Sequence, residues 1–193
     1  MNVFFEIYDC TGTPLGQVWF VSLFFAGFFL WSQTANAEIN LTSESVVDGK
    51  ISKIHACRQK GGKDKSIQIS ASNLPADTKS ISIIVDDPDA IKPAGKVWVH
   101  WNVFNIPVTT SDFSLDVGTK PAGTIGKGHG GSGYKGMCPP DEEHTYRIAI
   151  YAQKEDVKAK ATGFSAVKYT LERFEKDFGS SIIEKSLIEG TFK

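Results

Sequence analysis

The first 49 residues contain no lysine and no arginine, although the 193-residue chain carries 21 of them. These cations are matched by 22 Asp and Glu, for a formal net charge of −1. No surplus of positive charge is left to displace counterions from a phosphate backbone, which excludes a polyelectrolyte-type nucleic-acid binder. Cysteine is scarce, with three residues, and the four histidines are dispersed. Neither falls at the spacing of a zinc signature. A long spanning run is also missing: the apolar stretch 18–31 (VWFVSLFFAGFFLW) has 14 residues. As a helix it would cover about 21 Å, short of the ~30 Å hydrocarbon core. What remains is ordinary for a globular chain, 41% apolar and 22% charged, so disorder, collagen and coiled coil are excluded.

The 14-residue stretch fits the apolar region of a secretory signal. Ser32-Gln33-Thr34-Ala35-Asn36-Ala37 follows it and ends small-x-small, which places a cleavage site between Ala37 and Glu38. One feature departs from the pattern. Residues 1–17 hold Glu6 and Asp9 and no cation, where a signal opens with positive charge. An uncleaved anchor, or a start codon placed elsewhere, is therefore the alternative. The reading is an exported chain, periplasmic or secreted, with 1–37 removed and 38–193 as a single domain. That domain keeps Cys57 and Cys138. In an oxidising compartment they allow one disulfide, and two separate buried thiols remain the alternative.

Residues 38–193 read as strands more than helices. Ser66–Ser70 (SIQIS) alternates and ends in Asn73-Leu74-Pro75; Ser80–Val85 (SISIIV) stops at Asp86-Asp87-Pro88-Asp89. Val97–Ile106 is apolar on both faces, with Val97, Val99, Trp101 and Val103 on one and Trp98, His100, Asn102, Phe104 and Ile106 on the other. Such a strand belongs inside a sheet covered on both sides. Thr145–Gln153 sets Tyr146, Ile148 and Ile150 on a shared face. Helix periodicity comes late, over 166–178, where Val167, Leu171, Phe174 and Phe178 form a stripe. Ser165 suits its N-cap, and Gly179 a left-handed residue after its end. Ile182–Lys193 is ambiguous between helix and strand. The pattern predicts a mainly β fold, an antiparallel β-sandwich with a small C-terminal helical element.

Gly118 to His144 spans 27 residues with eight glycines and no periodicity. Loops of that length inside a compact domain are functional or disordered; the prolines, Cys138 and direct entry into a strand favour an ordered one. Near it fall Asp86, Asp87, Asp89, His100 and His144. Each histidine alone is more often a satisfied core residue than a ligand. Gly126–Gly131 has no helix pattern after it and no Lys-Ser/Thr, so it is not a nucleotide loop. Gly130-Gly131-Ser132-Gly133 lacks the spacing of a nucleophile elbow.

Four blocks in order resemble the phosphatidylethanolamine-binding protein family, in its bacterial Raf-kinase-inhibitor-like branch. They are Asp87-Pro88-Asp89-Ala90; His100-Trp101 leading to Asn105-Ile106-Pro107; Gly133-Tyr134-x-Gly136 with Cys138-Pro139-Pro140; and His144-x-Tyr146. The likeness runs from about Leu41 to Phe192. It implies a Greek-key sandwich with a small anion pocket at one end, formed by Asp87, Asp89, His100, Gly136, Cys138, Pro139, Pro140, His144 and Tyr146; no metal and no cofactor is expected, with a metal held by His100, His144 and an aspartate as the lesser alternative. Three positions depart from the pattern: Met137 where proline is expected, Thr145 where arginine is expected, and Ser181 where the bacterial branch has histidine. Met137 is expected to reshape the pocket rim, and Ser181 to alter C-terminal contacts.

Two imidazoles can donate to phosphate oxygens, with charge-assisted bonds of ~1.5–3 kcal/mol each. A carboxylate beside a phosphate makes sense if it orients a histidine or meets the ammonium of an ethanolamine group. The expected function is non-catalytic binding of phosphate or a phosphoethanolamine-like phospholipid head group, with a protein partner as a further option. The alternatives are a hydrolase using His100 or His144 as general base with an aspartate, or a protease or kinase inhibitor acting through protein binding.

Overall fold

The structure is a computed structural model that describes residues 38–125, 133–159 and 169–193, together with Thr11. The apolar stretch 18–31, the cleavage motif up to Ala37, the loop 126–132 and the helix-start residues Ser165, Ala166 and Val167 lie outside the described residues. Among those described, no helix is long and apolar enough to cross a membrane.

The described residues from Glu38 onward form one compact unit. Its strands are β1 (Asn40–Thr42), β2 (Val46–Val47), β3 (Lys50–Ile51), β4 (Ile69–Ser72), β5 (Ser80–Asp87), β6 (Trp98–Pro107), β7 (Phe113–Leu115), β8 (Thr124–Ile125), β9 (His144–Gln153) and β10 (Ile182–Phe192). They make a three-stranded sheet in the order β1-β4-β7 and a seven-stranded sheet in the order β2-β3-β10-β9-β5-β6-β8. The fold is the mainly β sandwich expected. Pairing is antiparallel except where β10 meets β3 at Thr191 and Lys50 and at an isolated Ala56–Met137 bridge.

Alternation along the strands divides the apolar residues between two cores. Leu41, Ile69, Ala71 and Leu115 of the small sheet pack against Ile81, Ile83, Val85, Trp101, Val103, Tyr146, Ile148 and Ile150 of the large one. A one-turn helix, α1 (Ile91–Ala94), follows β5, and the opposite face of the large sheet presents Ile84, Phe104, Ala149 and Tyr151 to the helix α2 (Leu171–Phe178), which returns Leu171 and Phe174. Burial of β5 and β9 on both faces explains their near-continuous apolar runs.

Several boundaries differ from the sequence reading. Strand β4 begins at Ile69, not Ser66, because the Gln68 amide binds Ser45 Oγ (2.9 Å) in place of a neighbouring strand. Strand β5 continues through Asp86 and Asp87, whose carboxylates have partners that permit burial. Helix α2 is capped by Thr170, whose Oγ1 accepts from the Arg173 amide. Gly179 has φ −52° and leads into a short 3-10 turn, so no left-handed residue closes the helix. Ile182–Phe192 resolves as a strand paired along its length with β9.

The most consequential difference lies in β6. Val85 pairs with Trp101 and Asp86 with Val99, which leaves His100 as an extra residue, a β-bulge. A second irregularity lies between Val103 and Ile106, where Asn105 takes φ 57°. Each extra residue resets the alternation. The bulge turns His100 away from the face of Asn102 and Phe104 and toward Tyr146, at 5.3 Å between ring centroids.

Candidate functional site

Three segments converge at one end of the large sheet: the end of β5, the bulged start of β6, and the loop that runs from Tyr134 into β9. Asp87 holds this junction. Its Oδ1 accepts from the Ala90 amide (3.1 Å), and its Oδ2 meets His144 Nδ1 at 2.8 Å. His144 Nε2 meets Asp141 Oδ1 at 2.9 Å. With a carboxylate on each ring nitrogen, His144 is held as an imidazolium that donates from both. Burial alone would lower its pKa, but Asp87 and Asp141 outweigh that and raise it above the usual histidine value. Asp141 is held below its usual range mainly by the same His144 bond. Asp89 Oδ2 accepts from the Thr145 amide (2.7 Å) and so pins the start of β9.

His100 is in the opposite state. Its Nδ1 lies 2.8 Å from the Lys135 carbonyl oxygen, which can only accept, so Nδ1 carries the proton. Nε2 is left as a bare lone pair with no protein partner among the described residues. Burial pushes the pKa of this histidine down to about 4, so it is neutral at physiological pH. Tyr146 sits between the two imidazoles, with its ring centroid 5.3 Å from His100 and 6.3 Å from His144. It is fully buried, and its hydroxyl has no hydrogen-bond partner among the described residues. Burial, reinforced by Asp87 and Asp89, raises its pKa, so the hydroxyl stays protonated and able to donate. Half-buried Trp98 adds an aromatic wall, with Lys135 Nζ 4.8 Å and Lys96 Nζ 5.2 Å from its ring centroid.

The expected residues do not all serve one place. Asp87, His100, His144 and Tyr146 come together, with Asp89 one step outside. Pro139 is buried and Pro140 exposed in the stretch that delivers Asp141. Gly136 and Cys138 are engaged instead with the segment 54–64. A Cβ on Gly136 would fall 2.5 Å from the Cys57 amide nitrogen, and its own N–H donates to Asp64 Oδ1 (3.1 Å). Cys57 and Cys138 form a disulfide. Met137 does not reshape a rim: it is fully buried in the inter-sheet core, and the Cys57 amide donates to its carbonyl (2.9 Å). Ser181 takes up a local C-terminal contact, its Oγ donating to Glu155 (3.1 Å).

Sequence reasoning missed Asp141, Lys135 and the wall role of Trp98. Asp141 stands three residues before His144, a spacing that could have marked it. Lys135 acts through its backbone carbonyl, which no side-chain pattern reports. Among the described residues, no group of three or more His, Cys, Asp or Glu is arranged to hold a metal ion.

On the far side of β5, Asp86 points to the helix face. Arg147 Nε and Nη2 grip its two oxygens at 2.7 and 2.8 Å, and the Leu171 amide donates to Oδ2 at 3.0 Å. Arg147 also reaches Glu172 (2.6 Å), holding that carboxyl down to about 2. This cluster fixes α2 to the sheet behind the site.

Comparison with known proteins gives a concordant result. The family profile described as phosphatidylethanolamine-binding protein matches residues 42–193. A UPF0098 protein of Methanothermobacter thermautotrophicus is 36% identical over 121 residues, covering 59% of this chain and 76% of the relative. The UPF0098 protein YbcL of Escherichia coli is 36% identical over 104 residues, 49% of this chain and 56% of YbcL. The crystal structure of a phosphatidylethanolamine-binding protein homologue from Chlamydia trachomatis superposes with a TM-score of 0.63 at 28% identity, covering 81% of this chain and 97% of that one. Crystalline E. coli YbcL gives 0.62 at 26% identity, covering 81% and 99%.

Proposed function

We propose, from the premise that this chain belongs to the phosphatidylethanolamine-binding protein family, that it is an exported, non-catalytic binding protein whose pocket takes a small phospho-head group. The observation that carries this reading is the Tyr146 hydroxyl, fully buried and without a hydrogen-bond partner among the described residues, beside the acceptor nitrogen of His100. Tyr146 offers an O–H and His100 an Nε2 lone pair, while His144 and Asp87 beside them already have partners. Buried groups left without partners cost free energy, and a ligand that completes them recovers it. The Asp87, Asp89 and Asp141 carboxylates give an ammonium group a place to lie, and the Trp98 wall carries Lys96 and Lys135 for negative charge. A zwitterionic phosphoethanolamine unit matches both signs.

A hydrolase reading finds less support. His144 spends both ring nitrogens on carboxylates and has no lone pair with which to activate water. Among the described residues, no serine or cysteine is hydrogen-bonded to His100, and Cys138 is in a disulfide.

Replacing His100 with Ala is the test. Calorimetric titration at pH 6 should show affinity for phosphoethanolamine falling at least about tenfold, as expected for loss of one charge-assisted bond. The melting temperature should change little, because the lost bond is to a single backbone carbonyl at the pocket. Early melting with unchanged affinity would mean that His100 is a core residue and the reading is wrong. Turnover of phosphate esters by the purified protein would replace binding with catalysis.

A further inference from the structure

We infer that the pocket binds a phosphoryl group together with one proton, held between His100 Nε2 and a phosphoryl oxygen, and that it therefore selects phosphate monoesters over phosphodiesters. The inference rests on the phospho-head-group reading above and specifies the chemical class of the ligand.

The hydrogen-bond assignments require the proton. A phosphoryl oxygen needs donors, yet the two imidazoles expected to donate have none free. His144 gives Nδ1–H to Asp87 and Nε2–H to Asp141. His100 gives Nδ1–H to the Lys135 carbonyl, which leaves the Nε2 lone pair as an acceptor. An unprotonated phosphoryl oxygen facing that lone pair would be repelled. A P–OH group would donate to it directly, while Tyr146 O–H donates to a second oxygen.

Charge acts in the same direction. The groups facing His100 are Asp87 from β5, His144 and Tyr146 from β9, and Lys135 from the loop. The Asp87 and Asp141 carboxylates are balanced by the His144 imidazolium and Lys135, and Asp89 adds a further negative charge close by. A dianion is therefore disfavoured on that side, and a bound proton removes one unit of the conflict.

The two ligand classes differ in where the proton comes from. A phosphate monoester has a second pKa near ~6, so below that pH it carries the proton in. Above it, one proton must come from solvent, and affinity falls by about tenfold per pH unit. A diester has no such proton at any pH. It must protonate His100, whose free-state pKa is about 4. Its affinity therefore falls about tenfold per unit from about pH 4 upward, so by pH 6 the monoester gains roughly 100-fold on it.

Calorimetry on the full processed protein tests this with phosphoethanolamine, inorganic phosphate and glycerophosphoethanolamine from pH 5 to 8, each in two buffers of different ionisation enthalpy. The expected result at pH 7.5 is uptake of about one proton per phosphoethanolamine, whose affinity drops about tenfold from pH 7 to 8, and a smaller uptake and shallower drop for inorganic phosphate, whose second pKa lies near ~7. The diester should be weaker by a factor of tens or more at pH 7. A His100→Gln variant, whose amide does not titrate, should lose the pH slope. Equal monoester and diester affinity, or binding with no proton uptake, overturns the inference and leaves the phospho-group pocket standing. Failure of all three probes at every pH overturns both.

Discussion

Arg147→Ala is expected to destabilise the fold by about 3–5 kcal/mol, the largest effect of any single side-chain truncation around the site. The reason lies in Asp86, which has no exposed surface and takes two bonds from the guanidinium. Removing Arg147 leaves a buried carboxylate with the Leu171 amide as its one remaining donor among the described residues. Burial already pushes the Asp86 pKa up, and the arginine is the main counterweight. The variant therefore has a definite pH signature. A carboxyl whose folded-state pKa is raised costs stability as pH rises above its unfolded value, so the deficit should be largest near neutrality and shrink toward pH 4. Adding Asp86→Asn, which removes the stranded charge and keeps an acceptor for Leu171, should recover much of the loss. Urea denaturation of the wild type and the two variants decides it. A cost under about 1 kcal/mol, typical of a surface pair, would show that Asp86 is not isolated as described.

Removing the Cys57–Cys138 disulfide is expected to cost about 4 kcal/mol in the chain-entropy picture, because the bond closes a loop with a sequence separation of 81 residues. Binding at the proposed site should suffer less than the fold. The same junction is held by the Cys57 amide on Met137 O, by Tyr134 Oη donating to the His55 carbonyl, and by Gly136 N–H on Asp64. A Cys57→Ala/Cys138→Ala protein that still folds should thus bind phosphoethanolamine within a few-fold of wild type while unfolding at much lower denaturant. Equal denaturant midpoints would contradict this. The bond also bears on export, since it persists in an oxidising compartment. Protein recovered from the periplasm or medium should have no alkylatable thiol and an intact mass lacking residues 1–37. Recovery only as a full-length, membrane-bound chain would end the export proposal.

Much of this fold is legible in the sequence because its strands are buried on one or both faces. The runs at 80–87 and 144–153 are dense in Ile, Val, Ala and Tyr because each lies between two cores. The stripe of Leu171, Phe174 and Phe178 marks the helix for the same reason. The four family blocks bring Asp87, His100, His144 and Tyr146 together, and the structure groups those four.

What alternation could not show is the state of the two histidines. A strict period of two puts His100 with Trp98, Asn102 and Phe104, whereas the bulge turns it to Tyr146. Bulges leave no mark in hydrophobic periodicity. Nor does sequence reveal that Lys135 fixes a tautomer through its carbonyl, or that Asp141 takes the second nitrogen of His144. Those two bonds change the chemistry. The imidazoles read from sequence as a pair of donors become one saturated cation and one bare acceptor.

Nitrogen-15 spectra of the histidine rings, recorded at pH 7 with and without phosphoethanolamine, test the central claim most directly. The account predicts that free protein shows His144 protonated on both nitrogens and His100 as the neutral Nδ1–H form. Ligand should then shift His100 Nε2 strongly toward the protonated position and leave His144 nearly unchanged. A His100 resonance that does not move while ligand is bound, or a His144 that already lacks one proton in the free protein, would contradict it.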